Sequence, residues 1–196
     1  ASQSATLHMG LTPSSVSIMS DYLVRFASKY PDIHFDIHEG STFALKNELE
    51  NGLIDITTLR TPIVLNECNT SVLLQENLVA MAIPGFFDIE YTNISLKELS
   101  QKSLILSHRY RKYIISAFED NGLTCDIYCE CEDARTAITL AEHGLGVAIL
   151  PSSMRELKPC LYAYPIKDTN LSTEIFLAWR DERIPVEVEK FLSELK

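Results

Sequence analysis

Apolar residues in the first forty positions follow a strand spacing, then a helix spacing, then a strand spacing again. The opening segment ATLHMG predicts a strand. From Val16 onward, apolar residues recur at steps of three and four, which predicts an amphipathic helix that ends before Pro31. The next segment, DIHFDIHEG, alternates strictly between apolar and polar residues, which predicts a strand that ends at Gly40.

The alternation of elements continues and then changes character. STFALKNELENG predicts a helix and LIDITTL a strand, so the order is strand–helix–strand–helix–strand, which indicates a parallel sheet with crossover helices. SVLLQENLVAMAIPG predicts two short apolar strands that pass into a second lobe. The remaining predictions are a short helix and a strand in SLKELSQKSLILS, a helix in YIISAFEDNG, a strand in CDIYCECE, a helix in DARTAITLAEHGLG, a strand in VAILPSSM and, after LYAYPI, a strand in TEIFLAW and a helix in PVEVEKFLSELK.

These elements predict an α/β protein of two lobes. The chain visits the first lobe, then the second, then the first again. We expect residues 1–78 and 169–196 to form lobe I and residues 79–168 to form lobe II.

Composition and charge narrow the class of protein. The chain has 196 residues, 46% of them hydrophobic and 22% charged, as in ordinary soluble proteins. Its net charge of −10 disfavours direct contact with nucleic acid or an anionic membrane, and HRYRK is the one dense basic segment. The five cysteines form no C-x-x-C pair, and ASQSATLHMG has neither a basic nor an apolar signal region. We therefore expect free thiols, a cytoplasmic location and no membrane association.

Polar residues follow several predicted strands, where ligands collect in open α/β sheets. In GLTPSSVSIM we expect Thr12 to be the N-cap of a helix and Pro13 its first residue, which leaves backbone N–H groups free for an anion. Arginine adds a planar fork suited to a carboxylate, although Arg60 and Arg109 also fit ion pairs. The candidate ligand-binding residues are Thr12, Ser14, Ser15, Ser41, Thr42, Arg60 and Thr61 in lobe I, and His108, Arg109 and Tyr110 in lobe II.

Other chemistry is less well supported by the sequence. His34, Asp36 and His38 share one strand face, which suits a metal site but equally a face turned to solvent or to a partner. The sequence contains no G-x-S-x-G, H-E-x-x-H, P-loop or dinucleotide motif. We therefore expect no enzyme activity, no cofactor and no metal.

Two segments together resemble the effector-binding domain of LysR-type transcriptional regulators. They are LHMGLTPSSVSIMSDYLVRFASKYPDIHFDIHEGSTFALKNELENGLIDITTLR and EDARTAITLAEHGLGVAILPSS. The resemblance implies two Rossmann-like lobes joined by two crossover strands, as in type 2 periplasmic solute-binding proteins. It also implies that Ser14, Ser15, Ser41, Thr42 and Arg60 line an effector cavity. The family's winged helix-turn-helix and linker helix are absent from this sequence, so we expect a regulatory fragment of a longer DNA-binding protein.

The resemblance leads to one functional expectation and one alternative. We expect the chain to bind a small, carboxylate-type effector between its lobes. A homodimer or tetramer would then relay the binding of the effector to an upstream DNA-binding domain. Only that domain would contact DNA. The alternative is a periplasmic-type solute-binding protein for transport, which the start of the full gene would distinguish.

Overall fold

The structure is a computed structural model that describes residues 5–88, 92–167 and 169–195. Short 3-10 turns cover Pro13–Ser15 and Ser152–Leu157. The helices are α1 (Val16–Lys29), α2 (Thr42–Glu50), α3 (Leu96–Leu99), α4 (Arg111–Asp120), α5 (Ala134–Glu142) and α6 (Val186–Ser193). The strands are β1 (Ala5–Leu11), β2 (Ile33–Glu39), β3 (Ile56–Arg60), β4 (Cys68–Ala82), β5 (Ile94–Ser95), β6 (Ser103–Ser107), β7 (Asp126–Cys131), β8 (Val147–Pro151), β9 (Tyr162–Lys167) and β10 (Ser172–Arg180).

The chain forms two compact units. Unit 1 comprises the residues up to Leu74 and those from Glu174 onward, and unit 2 comprises Gln75–Thr173. Both divisions fall inside a strand, β4 and β10 respectively, whereas the sequence analysis expects them at 78/79 and 168/169. A strand has the same two-residue alternation of side chains on both sides of such a division. The sequence pattern therefore does not reveal where one unit ends and the other begins.

Unit 1 is built on the strand order β2-β1-β3-β10. β1 pairs in parallel with β2 and β3, and β10 pairs antiparallel with β3. This confirms the parallel sheet predicted for the first sixty residues. Every residue of β3 is buried, as expected for an inner strand covered on both faces. Phe26 of α1 and Phe191 of α6 pack edge to face at 5.2 Å between ring centroids, so both helices cover the same core.

The close approach of β1 to β3 requires a glycine at position 10. A Cβ added to Gly10 of β1 would lie 2.3 Å from Thr57 Oγ1 of β3. Since real Cβ atoms essentially never approach that closely, position 10 requires glycine for β1 and β3 to pair where they do.

Unit 2 carries its own sheet, in the order β4-β8-β6-β7. β6 is parallel to β7 and β8, while β4 is antiparallel to β8 and also pairs with β9. The strands β8 and β6 are buried almost throughout, and Phe118 of α4 and Ile138 of α5 belong to two clusters on this sheet.

One prediction about the elements is wrong. SVLLQENLVAMAIPG lies in a single strand, β4, as far as Ala82, and not in two short ones. The polar residues in its middle suggest a break, but Glu76 is only 8% exposed and its carboxylate accepts hydrogen bonds from Ser152 and Ser153. A buried and satisfied carboxylate leaves the strand free to continue.

Candidate functional site

The candidate site of unit 1 lies where three parallel strands end. β1 leads into the turn before α1, β2 leads into α2, and β3 ends at Arg60. Because parallel strands run in the same direction, their carboxyl ends meet at one edge of the sheet. All seven residues predicted in the first lobe belong to unit 1 and follow or end these strands.

Thr58 of β3 organises the first of these turns. Its hydroxyl accepts a hydrogen bond from Thr12 N at 3.0 Å and lies 2.6 Å from Ser15 Oγ. Ser15 Oγ also donates to Thr12 O at 2.8 Å. Both Ser15 and Thr58 are fully buried, so these bonds hold the turn rigidly against β3.

Thr58 is a residue of the site that the sequence pattern did not predict. The signal available was a pair of adjacent threonines in a short strand that is otherwise apolar up to Arg60. One side chain of such a pair must face each side of the sheet, and a buried hydroxyl needs a hydrogen-bond partner.

Thr12 is the N-cap of the first helical turn and Pro13 its first residue, as predicted, but the Thr12 side chain does not cap that turn. The 3-10 turn Pro13–Ser15 comes first, α1 begins at Val16, and the Thr12 side chain makes no capping hydrogen bond. Thr12 is 4% exposed, and its Oγ1 atom is buried with no hydrogen-bond partner among the residues that the structure describes. The hydroxyl therefore keeps unused hydrogen-bonding capacity beside the first turn of α1.

Arg60 connects the ends of all three strands. Its side chain donates from Nε to Ser14 Oγ at 3.2 Å, and its backbone N–H donates to Thr42 Oγ1 at 3.2 Å. The residue is only 3% exposed. The guanidinium is thus held at the 3-10 turn that precedes α1, and the Arg60 backbone is held at the first residue of α2.

Ser41 and Thr61 complete the set in unit 1. Ser41 is the N-cap of α2, and its hydroxyl accepts from Ala44 N at 3.2 Å. Thr61 is fixed to β10, since its Oγ1 accepts from Glu174 N at 2.8 Å and its own N–H donates to Glu174 O at 3.0 Å. Together these residues form a rim rich in hydroxyl groups around one buried cation.

The three predicted residues of the second lobe lie in unit 2, between β6 and α4. His108 is exposed, and its Nδ1 is 2.7 Å from Glu132 Oε1. Tyr110 is 2% exposed and belongs to the apolar core of unit 2, with its hydroxyl 3.4 Å from Thr173 Oγ1. Arg109 is half-buried. A ligand contact at these three residues stays a prediction.

Burial raises the pKa of three of the thiols. All five cysteines are free. Burial raises the pKa of the Cys131 thiol to about 11, so at neutral pH it remains protonated and a poor nucleophile. Burial also raises the pKa of Cys68 and Cys125.

Unit 1 also contains a surface depression that is lined mainly by carboxylates, away from the candidate site. Its volume is about 580 Å³, and it is lined by Glu50, Asn66, Glu67, Cys68, Arg180, Asp181 and Glu182. Four carboxylates against one guanidinium disfavour an anionic ligand there.

No group of three or more side chains able to hold a metal ion occurs within the described ranges. Nor does any helix in those ranges have the length and apolar character needed to cross a bilayer.

Comparison with solved structures shows the fold. The BenM effector binding domain with its effector benzoate superposes with a TM-score of 0.82 at 19% identity, over 99% of this chain and 91% of that one. The effector binding domain of QuiR in complex with shikimate gives a TM-score of 0.85 at 18% identity, over 97% of this chain and 95% of that one. The expected α/β architecture of two Rossmann-like lobes, of the type 2 periplasmic-binding-protein kind, is thereby confirmed.

Sequence comparison shows the family. The uncharacterized HTH-type transcriptional regulator YnfL of Escherichia coli is 27% identical over 185 residues, which cover 90% of this chain and 62% of YnfL. The HTH-type transcriptional regulator CatR of Pseudomonas putida is 24% identical over 155 residues, 76% of this chain and 53% of CatR. The chain thus spans a little over half the length of these curated relatives. These relatives are transcriptional regulators and not enzymes. The family model described as the LysR substrate binding domain matches residues 1–196, and the chain belongs to that family.

Proposed function

We propose that this chain senses a small anionic effector for a LysR-type transcriptional regulator, and that unit 1 holds the anionic group of that effector at Arg60. The observation that carries the proposal is the hydrogen bond from Arg60 Nε to Ser14 Oγ. It joins a guanidinium to the 3-10 turn that leads into α1, and the Arg60 backbone N–H reaches the first residue of α2. A planar guanidinium at a turn that leads into a helix suits a carboxylate.

The hydroxyl groups fit the same ligand. Ser14 accepts the bond from Arg60, so its own proton is available for donation. Thr12 Oγ1 is buried and has no hydrogen-bond partner in the described part of the chain. A bound anion would satisfy both groups, which otherwise carry part of the cost of buried polar atoms.

A second Pro-Ser-Ser sequence in the same chain shows that a serine hydroxyl of this tripeptide can donate to a carboxylate. Residues Pro151–Ser153 in unit 2 repeat the tripeptide of Pro13–Ser15. There the Glu76 carboxylate accepts hydrogen bonds from Ser152 Oγ at 3.0 Å, Ser153 N at 2.6 Å and Ser153 Oγ at 2.9 Å. In Pro13–Ser15 the Ser15 N–H and hydroxyl both donate to Thr12 O, so the Ser14 hydroxyl is the group of that tripeptide that is left for a ligand.

The neighbouring structures agree with this class of ligand. Benzoate and shikimate, which are bound to BenM and QuiR, are both carboxylates. For the whole regulator, we propose that effector binding is relayed through a homodimer or tetramer to an upstream DNA-binding region, in the cytoplasm. Two observations support that relay. The relatives are named HTH-type transcriptional regulators, and they are longer than this chain. The family supports regulation over the transport alternative.

Ligand-induced stabilisation of the purified chain tests the proposal. Benzoate and shikimate are the first probes, each beside its neutral amide, within a panel of small carboxylates. At about a hundred times its dissociation constant, a bound ligand stabilises the fold by about 2.7 kcal/mol, which a thermal unfolding scan resolves. We expect stabilisation by carboxylates and not by the matched amides.

Substitution of Arg60 identifies the site. Arg60→Ala should weaken binding of the best carboxylate by roughly 2–5 kcal/mol, measured by titration calorimetry. Arg25→Ala is the matched control, because Arg25 lies on the outer face of α1 over the Tyr22 ring. An unfolding scan without ligand verifies that both variants fold. Unchanged affinity in Arg60→Ala, or equal stabilisation by amides, would contradict the proposed site.

A further inference from the structure

Four titratable side chains in unit 1 form a continuous chain across β1, β2 and α2. His8 Nδ1 of β1 lies 3.0 Å from Asp36 Oδ2 of β2, and His38 Nε2 of β2 lies 3.5 Å from the same oxygen. On its other side, His38 Nδ1 lies 2.5 Å from Glu48 Oε2 of α2. His38 is thus placed between two carboxylates, with one ring nitrogen directed at each.

The position of this pair relative to the candidate site is informative. His38 is near the end of β2 and Glu48 is near the end of α2. Between them the chain makes the turn that carries Ser41, the N-cap of α2, and Thr42, which accepts a hydrogen bond from the Arg60 backbone. The His38–Glu48 contact therefore ties together the two elements on either side of that turn.

The contact depends on the protonation state of the imidazole. A charged imidazolium has two N–H donors, one for Glu48 and one for Asp36. A neutral imidazole has a single N–H, so one of its nitrogens then turns a lone pair toward a carboxylate. The protonated ring alone satisfies both neighbours.

The electrostatic surroundings agree with this geometry. The hydrogen bond to Glu48 is the largest of the effects that raise the pKa of His38, and Asp36 adds to it. The hydrogen bond to His8 is the main cause that lowers the pKa of Asp36, so this carboxylate stays ionised while the histidine titrates. Lys46 of α2 is directed to Glu50, at 3.6 Å, and His34, on the same face of β2, is exposed.

We propose that His38 is a proton-dependent latch that fastens β2 to α2 and thereby fixes the turn carrying Ser41 and Thr42. The latch is closed when the imidazole is charged and is weakened when the imidazole becomes neutral, because the ring can then donate to only one of its two carboxylate neighbours. It does not depend on which effector the chain binds, so its test is separate from the test of the proposed function.

The direction of the pH dependence follows from the raised pKa. A group that binds its proton more tightly in the folded state stabilises the fold fully below the pKa that it has when unfolded, about 6.5 for histidine. That stabilisation is lost as the pH rises through the higher pKa of the folded protein. The latch therefore weakens as the pH rises beyond the ordinary pKa of histidine.

Thermal unfolding of the 196-residue chain from about pH 5.5 to about pH 8.5 spans this titration. We expect His38→Gln to lower Tm by about 2–4 °C at the acidic end and by less than half of that at the alkaline end. His34→Gln is the matched control, because it removes an exposed histidine from the same strand face. A Tm difference for His38→Gln that does not change with pH, or that His34→Gln reproduces, would overturn the latch.

Two further measurements examine the ring and the turn directly. An NMR titration should give His38 a pKa above its ordinary value in the native chain, and Glu48→Gln should bring that pKa back down. Amide hydrogen exchange of residues 41–44, corrected for the intrinsic effect of pH, should lose protection as His38 titrates in the native chain but not in His38→Gln. An unshifted pKa in the native chain, or protection that ignores the titration, also contradicts the proposal.

Discussion

At the scale of single residues, buried hydroxyl groups define the candidate site. Ser15 and Thr58 are both fully buried and bonded to each other, while Thr12 keeps a buried oxygen without a partner among the described residues. Sequence reasoning found Thr12 and Ser15 because they precede a helix. It did not find Thr58, because the spacing of residues within a strand does not show which hydroxyl meets a neighbouring turn.

Replacing Thr58 by valine tests how firmly this turn is held. Thr58→Val keeps the shape of the side chain but removes the acceptor for Thr12 N and the partner of Ser15 Oγ. We expect the free energy of unfolding to fall by about 1–3 kcal/mol, measured by urea denaturation. Ser28→Ala removes an exposed hydroxyl from α1 and should change stability by less than about 0.5 kcal/mol. Equal losses in the two variants would show that the Thr58 bonds contribute little.

At the scale of elements, the sequence predicted the helices and the parallel pairing of β1, β2 and β3 well. Periodicity suffices where one face of each element is apolar, as Met19 and Phe26 show for α1. It failed at β4, where Glu76 looks like an interruption until its partners Ser152 and Ser153 are known. Those partners are far away in the sequence, so local pattern cannot reveal them.

The caps of α2 and α3 offer a paired test. Ser41 caps α2 and Ser95 caps α3 through a capping box, so replacing either by alanine should lower the free energy of unfolding by about 1 kcal/mol. Only Ser41→Ala should also weaken binding of a carboxylate probe, since Ser95 lies in unit 2 and outside the candidate site. Calorimetric titration of both variants measures this. Identical binding by the two would remove Ser41 from the site.

At the scale of the whole molecule, the net charge of −10 disfavours direct contact between this chain and DNA. Proteins that bind duplex DNA do so through many Lys and Arg contacts to phosphate, and this chain has 17 Lys and Arg against 27 Asp and Glu. The charge balance was available from composition alone, and it fits a part of a regulator that binds an effector while another part reads DNA.

Fluorescence anisotropy with a labelled duplex provides the corresponding measurement. At about physiological salt we expect no saturation in the range of about 10⁻⁴ to 10⁻⁶ M, where non-specific DNA binders bind. The isolated chain would repel the phosphate backbone, because like charges dominate its surface. Micromolar binding that weakens steeply with added salt would contradict this expectation.

The division of unit 1 into two stretches of chain has a consequence for synthesis on the ribosome. Unit 2 is continuous, from Gln75 to Thr173, whereas β10, the antiparallel neighbour of β3, is made only after unit 2 is complete. At about 5–20 residues per second, several seconds separate the emergence of β3 from that of β10. During this interval β3 has an open edge on the nascent chain, which can pair with the wrong strand until β10 is made.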